Sequence, residues 1–133
     1  MLHKAQCEFD NEKFDIAIAD LQEGLKLYET DPELQYFLGL SYYAQGNAKK
    51  DPNEHEDKDK DYKEALRTFK MALINMPKED AGVQFSLSYI PDIYYHIGLA
   101  YCRVEKFEKS IYPYTKVSNF YNLLFTRVLY LGN

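Results

Sequence analysis

The sequence has no tryptophan, two cysteines and three histidines, and no apolar run approaching the ~18 residues needed to span a bilayer. Each shortage removes a class of protein. Cys7 and Cys102 fall at helical positions with no CxxC pair, so they read as small buried apolar residues in a reducing, intracellular, cytoplasmic protein. His3, His55 and His96 stand in neither a nucleophile elbow nor an HExxH zinc helix, and no glycine loop is built to cradle phosphate. The expectation is a protein that is not an enzyme and has no cofactor and no metal. The first residues, from Met1 to Glu8, lack the apolar core of a signal peptide. Positive charge is also short. The net charge is −5, which argues against nucleic acid, whose phosphates call for a clustered Lys/Arg surface.

What is abundant is apolar and aromatic. Apolar residues make up 46% and charged residues 28%, the balance of a globular chain, and 133 residues suffice for a single domain. There are 13 tyrosines and 8 phenylalanines. A tyrosine ring with its polar tip can face a groove as well as a core.

The apolar residues recur with helical spacing. Phe14, Ala17, Leu21 and Gly24 step by three, four and three; so do Tyr62, Ala65, Phe69 and Ala72, and again Phe107, Ser110, Tyr114 and Val117. Large and small residues alternate in each ladder, so that large side chains reach a neighbouring helix and small ones let it approach. A second pattern precedes two of the ladders: Leu38-Gly39, Tyr42 and Gly46, then Ile97-Gly98, Tyr101 and Glu105. A glycine inside a helix costs about 1 kcal/mol relative to alanine. Gly39 and Gly98 therefore point to close helix–helix contact, and Gly46 to a left-handed cap where a helix stops.

Together these residues resemble the tetratricopeptide repeat, a helix–turn–helix unit of about 34 residues. The best unit runs over 31–77, with Leu38, Gly39, Tyr42, Gly46, Tyr62, Ala65, Phe69, Ala72 and the closing Pro77. Residues 91–118 form another, departing from the pattern at Ser110 and Pro113; 1–31 is weaker, and 119–133 reads as a partial unit. The resemblance implies an all-α, right-handed α-solenoid of about three repeats plus one unpaired terminal helix, and the expectation is a segment of a longer array. Seven helices are expected, near residues 2–11, 13–28, 32–46, 61–75, 92–104, 107–118 and 120–131. Ala17 and Ala65 stand 48 residues apart and Ala65 and Ser110 stand 45 apart, which leaves extra residues to place in loops. They fall at 48–61 and between Pro77 and Tyr94, where added length costs little entropy.

The first insertion, AKKDPNEHEDKDKD, reads as a mobile, dispensable loop. Asp57, Asp59 and Asp61 imitate the start of a calcium loop, but Tyr62 and Thr68 stand where glycine and glutamate are required. In the second insertion Val83, Phe85, Leu87 and Tyr89 alternate with polar residues, which suggests an extended loop packed on the array or else a docking edge.

First helices of such repeats line a concave face. The resemblance turns Glu33, Tyr36, Phe37, Leu40, Tyr43 and Ala44, then Asp92, Tyr95, His96, Leu99, Cys102 and Arg103, to that face, with Leu2, Gln6, Phe9 and Asp10 before them and Asn122, Thr126, Leu129 and Tyr130 after. It makes Tyr36, Phe37, Leu40, Tyr43, Tyr95, His96, Leu99 and Arg103 the partner-binding groove. The Lys/Asn/Arg carboxylate clamp of some co-chaperones has no counterpart, because Gln6, Phe37, Leu40, Asp92 and His96 occupy its positions. The expected function is a protein–protein interaction scaffold that takes a partner peptide or helix in an apolar, aromatic groove. The same residues could instead be buried within the array or under a neighbouring subunit. The alternative functions are a structural subunit embedded in a large multiprotein assembly and, more distantly, a regulatory domain of an enzyme lying outside this segment.

Overall fold

The computed structural model describes residues 2–10, 12–51, 53, 55–76 and 83–131, with side chains described at all of these except 83–88 and 123–131. Among the described residues there is no strand. The helices are α1 (Leu2–Asp10), α2 (Phe14–Leu27), α3 (Pro32–Ala48), α4 (His55–Asn75), α5 (Val83–Arg103) and α6 (Phe107–Leu131). The all-α class expected from the sequence holds.

Local chemistry sets several boundaries. Asp31 caps α3, its carboxylate accepting from the Glu33 and Leu34 amides at 2.9 and 3.1 Å, and Pro32 follows at the first helical position. Such a cap contributes about 1 kcal/mol. Two turns repeat the same backbone geometry. After α1, Glu12 N–H bonds to the Phe9 carbonyl and Lys13 N–H to that of Glu8; after α5, Glu105 N–H bonds to Cys102 and Lys106 N–H to Tyr101. Glu12 and Glu105 carry φ of 62° and 61°. This is the Schellman pattern, in which a left-handed residue satisfies the last carbonyls of a helix. The two turns are separated by the same offset as Ala17 and Ser110.

Each helix packs on its neighbour in the chain, and in addition α1 touches α3 and α3 touches α5. Among the described residues the even-numbered helices α2, α4 and α6 do not touch one another. One core cluster gathers Tyr62, Ala65, Phe69 and Ala72 of α4 with Tyr36 and Tyr43 of α3 and Ile93, Ile97 and Ala100 of α5. A second joins Ala5, Ile18, Leu21, Leu34 and Leu38, and Phe37 and Tyr42 pack against both. The glycines explain how closely helices approach. A Cβ on Gly39 would lie 2.6 Å from the Phe69 ring, one on Gly98 2.5 Å from Tyr114, and one on Gly46 2.8 Å from Tyr62. Gly39 and Gly98 thus have the packing role expected of them.

Elsewhere the structure departs from expectation. Gly46 is not a left-handed cap; α3 runs on to Ala48, because the insertion that follows removes the need for a sharp reversal there. The 48–61 insertion is only partly a loop. The first turns of α4 occupy its second half, where Glu56 and Asp57 favour the positive helix start and Lys63 pairs with Asp59 at 3.6 Å. Lys49 Nζ meets buried Asp61 at 2.6 Å and Gln45 donates to the same carboxylate at 3.2 Å, so the start of the insertion is tethered to α4. Residues 83–90 are helical, not extended: α5 begins at Val83 and passes through Pro91. Proline removes a helix hydrogen bond, but Tyr89 and Ile90 on the N-terminal side pack on the core and offset that loss. The expected break near residue 119 is absent too. α6 continues through Pro113 to Leu131, so among the described residues there is no separate terminal helix and six helices stand where seven were expected. Ser118 and Asn119 are weak helix formers but not breakers. Finally, Cys7 is exposed, because α1 buries Ala5 and Cys7 lies two residues on, across the helix; Cys102 is half-buried. Pro77 and the side chains of Val83, Phe85, Leu87, Thr126, Leu129 and Tyr130 lie outside the described residues.

Candidate interaction face

The odd-numbered helices bring the groove residues to one side of the molecule. Tyr36, Phe37, Leu40 and Tyr43 follow three- and four-residue spacing on α3, and Tyr95, His96, Leu99 and Arg103 do so on α5. The two sets meet, but largely by packing on each other. Tyr36 and Tyr43 are buried in the core, with Phe37, Leu40 and Leu99 partly buried against it.

Polar contacts lock this seam. The Tyr36 hydroxyl donates to the Asp92 carboxylate, which His96 Nδ1 approaches to 3.3 Å. The same nitrogen lies 2.9 Å from the Asp92 carbonyl, so both of its neighbours are acceptors and Nδ1 carries the proton. Tyr89 donates to Glu33 at 3.2 Å, and Arg103 Nε donates to the Tyr43 hydroxyl at 3.5 Å. Rings fill the space between: Tyr36 lies 4.8 Å from Tyr89, and His96 lies 5.5, 5.6 and 5.7 Å from Tyr43, Tyr95 and Phe69.

The electrostatics agree with a closed seam. Burial drives the Asp92 carboxyl upward, but hydrogen bonds from His96 and Tyr36 outweigh it and hold Asp92 below the usual carboxylate value. Burial drives His96 downward, yet its bonds to the Asp92 carboxylate and carbonyl raise it above the usual imidazole value. Burial, then the bond to Asp92, pushes the Tyr36 hydroxyl far up. Tyr36 and Asp92 are thereby held as donor and charged acceptor at neutral pH, and the pair positions α5 on α3.

What stays open on this face lies at its two ends. Tyr95 and Arg103 remain exposed on α5. Between α1 and α3 there is a cavity of about 330 Å³, lined by Ala5, Gln6, Phe9 and Asp10 on one side and Phe37 and Ser41 on the other, with Leu21 behind. The sequence pattern marks Gln6, Phe9 and Asp10 as facing this way. Spacing alone could not tell that the α3–α5 half would close, because the closure depends on Asp92 and Tyr89 lying on the face of α5 that meets Tyr36. No helix of the described residues is long and apolar enough to cross a membrane. Neither a family model nor a curated protein matches the chain.

Proposed function

We propose that this chain is a tetratricopeptide-like right-handed helical array, and that it serves as an interaction scaffold taking a peptide or helix of a partner protein on the face made by α1, α3 and α5. The observation that carries this reading is the contact of odd-numbered helices with one another while even-numbered helices stand apart. An array packed this way curves with its odd helices inside. The glycine–aromatic contacts and the two matching Schellman turns support a repeated unit. The α1–α3 cavity supports the binding role, with Phe9 and Phe37 as apolar walls and Gln6 and Asp10 as polar groups that orient a ligand. Tyr95 and Arg103 extend the same surface beyond the seam.

The test uses the full-length protein as bait, followed by the identified partner and variants of the open residues. Phe9→Ala combined with Tyr95→Ala should lose the partner while circular dichroism still reports a folded helical protein. Apolar contacts also imply only a modest fall in affinity with added salt. Undiminished capture by the double variant, or collapse of binding between low and moderate salt, sinks the proposal.

A second reading, a subunit held permanently within a larger assembly, is favoured by exposed Phe107, Ile111, Tyr112 and Tyr121 on α6. Apolar surface of this kind is usually covered. Sedimentation of the isolated chain separates the two: a monodisperse monomer supports the receptor, and self-association relieved by a partner supports the subunit.

A further inference from the structure

On the side of α5 away from α3, helices α4 and α6 approach without touching and leave a cleft of about 410 Å³. Its floor includes Tyr94 and Tyr101 of α5, and its walls include Leu73 of α4 and Tyr112 of α6. Lys70 and Lys109 stand at opposite walls, and both are exposed. No carboxylate lines the cleft.

Among the described residues neither lysine is held by a carboxylate, as is also true of Lys13, Lys60 and Lys106, whereas five other basic side chains are. Those five, Lys4, Lys26, Lys49, Lys63 and Arg67, all meet a carboxylate within 4 Å. Nearby Lys116 has no ion pair among the described residues either, although acidic residues outnumber basic ones by 21 to 16. Lys70 Nζ instead rests 5.0 Å from the centre of the Tyr101 ring, and Lys116 Nζ 5.5 Å from that of Tyr112. A ring face holds an exposed ammonium by only about 0.5–1 kcal/mol. The charges therefore stay available to a carboxylate, while the rings beneath them offer burial to an apolar side chain. Ile74, one turn along α4 from Lys70, is also exposed and extends the apolar surface.

We propose that this cleft is a second docking site, distinct from the α1–α3–α5 face, for an acidic segment of a partner protein. The segment inserts an aromatic or aliphatic side chain among Tyr94, Tyr101 and Tyr112 and sets carboxylates against Lys70 and Lys109. A cavity of this size falls at the lower end of the range for ligand pockets, about 300–1,000 Å³, and suits one or two anchoring side chains. Lysine over tyrosine is also chemistry that suits single-stranded nucleic acid. The net charge of −5 repels a polynucleotide, charged at every nucleotide, more strongly than a short acidic peptide with few charges, so the peptide is favoured.

The probe is a fluorescein-labelled peptide of sequence DDFDEL, titrated into the whole chain by anisotropy, with amide shifts followed by NMR. Comparison probes replace its Phe and Leu by Ala, replace its acids by Lys, or substitute a single-stranded oligothymidylate. The expected result is saturable binding of the acidic peptide, with the largest shifts around Lys70, Tyr101 and Tyr112. Binding should weaken at least tenfold in Lys70→Glu/Lys109→Glu and in Tyr112→Ala, and again when Phe and Leu are removed from the peptide. Should the charge-reversed protein lose its helicity, Lys70→Gln/Lys109→Gln is the variant to read, and it should weaken binding as well. The proposal is overturned by absence of saturable binding or by affinity that survives neutralising both lysines. Equal or tighter binding of the basic peptide or the oligothymidylate, or shifts centred on Phe9 and Phe37, overturns it too.

Discussion

The pairs α3–α4 and α5–α6 are built from the same contact and buried to very different depths. Gly39 receives Phe69 as Gly98 receives Tyr114. Along the second helix of each pair, Tyr62 corresponds to Phe107, Leu66 to Ile111 and Phe69 to Tyr114. Tyr62, Leu66 and Phe69 are 5%, 7% and 0% exposed, whereas Phe107 and Ile111 are 61% and 64% exposed. The difference is not one of residue type. α4 has α3 on one side and α5 on the other, while among the described residues α6 packs on no helix but α5. A repeat pattern specifies which face a helix offers, and burial of that face waits on the next helix.

The sharpest way to break this comparison is to truncate the two matching rings. Phe69→Ala should cost about 3–5 kcal/mol in urea unfolding, the range for a fully buried ring. Tyr114→Ala should cost about 1–2 kcal/mol, in keeping with its half-exposed position. Equal costs would show that α6 is covered in solution. Filling the glycines comes next. Gly39→Leu should cost of order 1–3 kcal/mol or more from overpacking against an immobile ring. Gly98→Leu should cost less, because Tyr114 can swing outward; calorimetry of both variants checks the order.

A smaller effect probes the turns. Gly46 and Glu105 occupy equivalent repeat positions but should respond with opposite signs. Glu105→Gly relieves a left-handed residue and should stabilise by about 0.5–1 kcal/mol. Gly46→Glu drives a side chain into the Tyr62 ring and should destabilise by about 1–3 kcal/mol. Stabilisation in both would mean that Gly46 is a turn residue after all.

The smallest expected effect is the pH response of the α3–α5 seam. His96 titrates above its ordinary value when folded, so its contribution is complete below about pH 6.5 and is lost as pH rises through the raised value. Asp92 titrates below its ordinary value, so its contribution is present above about pH 4 and is lost as pH falls. The seam should be firmest between those limits. Melting temperature followed from about pH 6 to pH 8 should decline more in the parent than in His96→Asn. Parallel declines would remove His96 from the account.

Much of this could be read from residue spacing. Alternating large and small residues at three- and four-residue steps marked the faces of α2, α4 and α6, and Gly39 and Gly98 marked close approach, because a missing Cβ has few other uses inside a helix. Ser110, where the pattern carries alanine, is buried as Ala65 is, its hydroxyl satisfied by the Phe107 carbonyl. Other features were hidden. Pro91 read as the boundary before a helix beginning at residue 92, since local rules count the lost hydrogen bond and not the burial that offsets it. Strand-like alternation at 83–89 competed with a helix whose reason is Tyr89 packing on Tyr36 and Phe37, residues far away in the chain.

By itself the sequence determined the helical class, the helix faces and the positions of closest helix contact, all of which depend on side-chain periodicity within a few turns. Tertiary structure alone decided which of those faces stay open. Tyr36 meets Asp92, Arg103 meets Tyr43 and Lys49 meets Asp61 across separations that no local pattern encodes. The first two contacts close the α3–α5 seam and the third ties the end of α3 to α4, while the α1–α3 cavity and the α4–α6 cleft stay open.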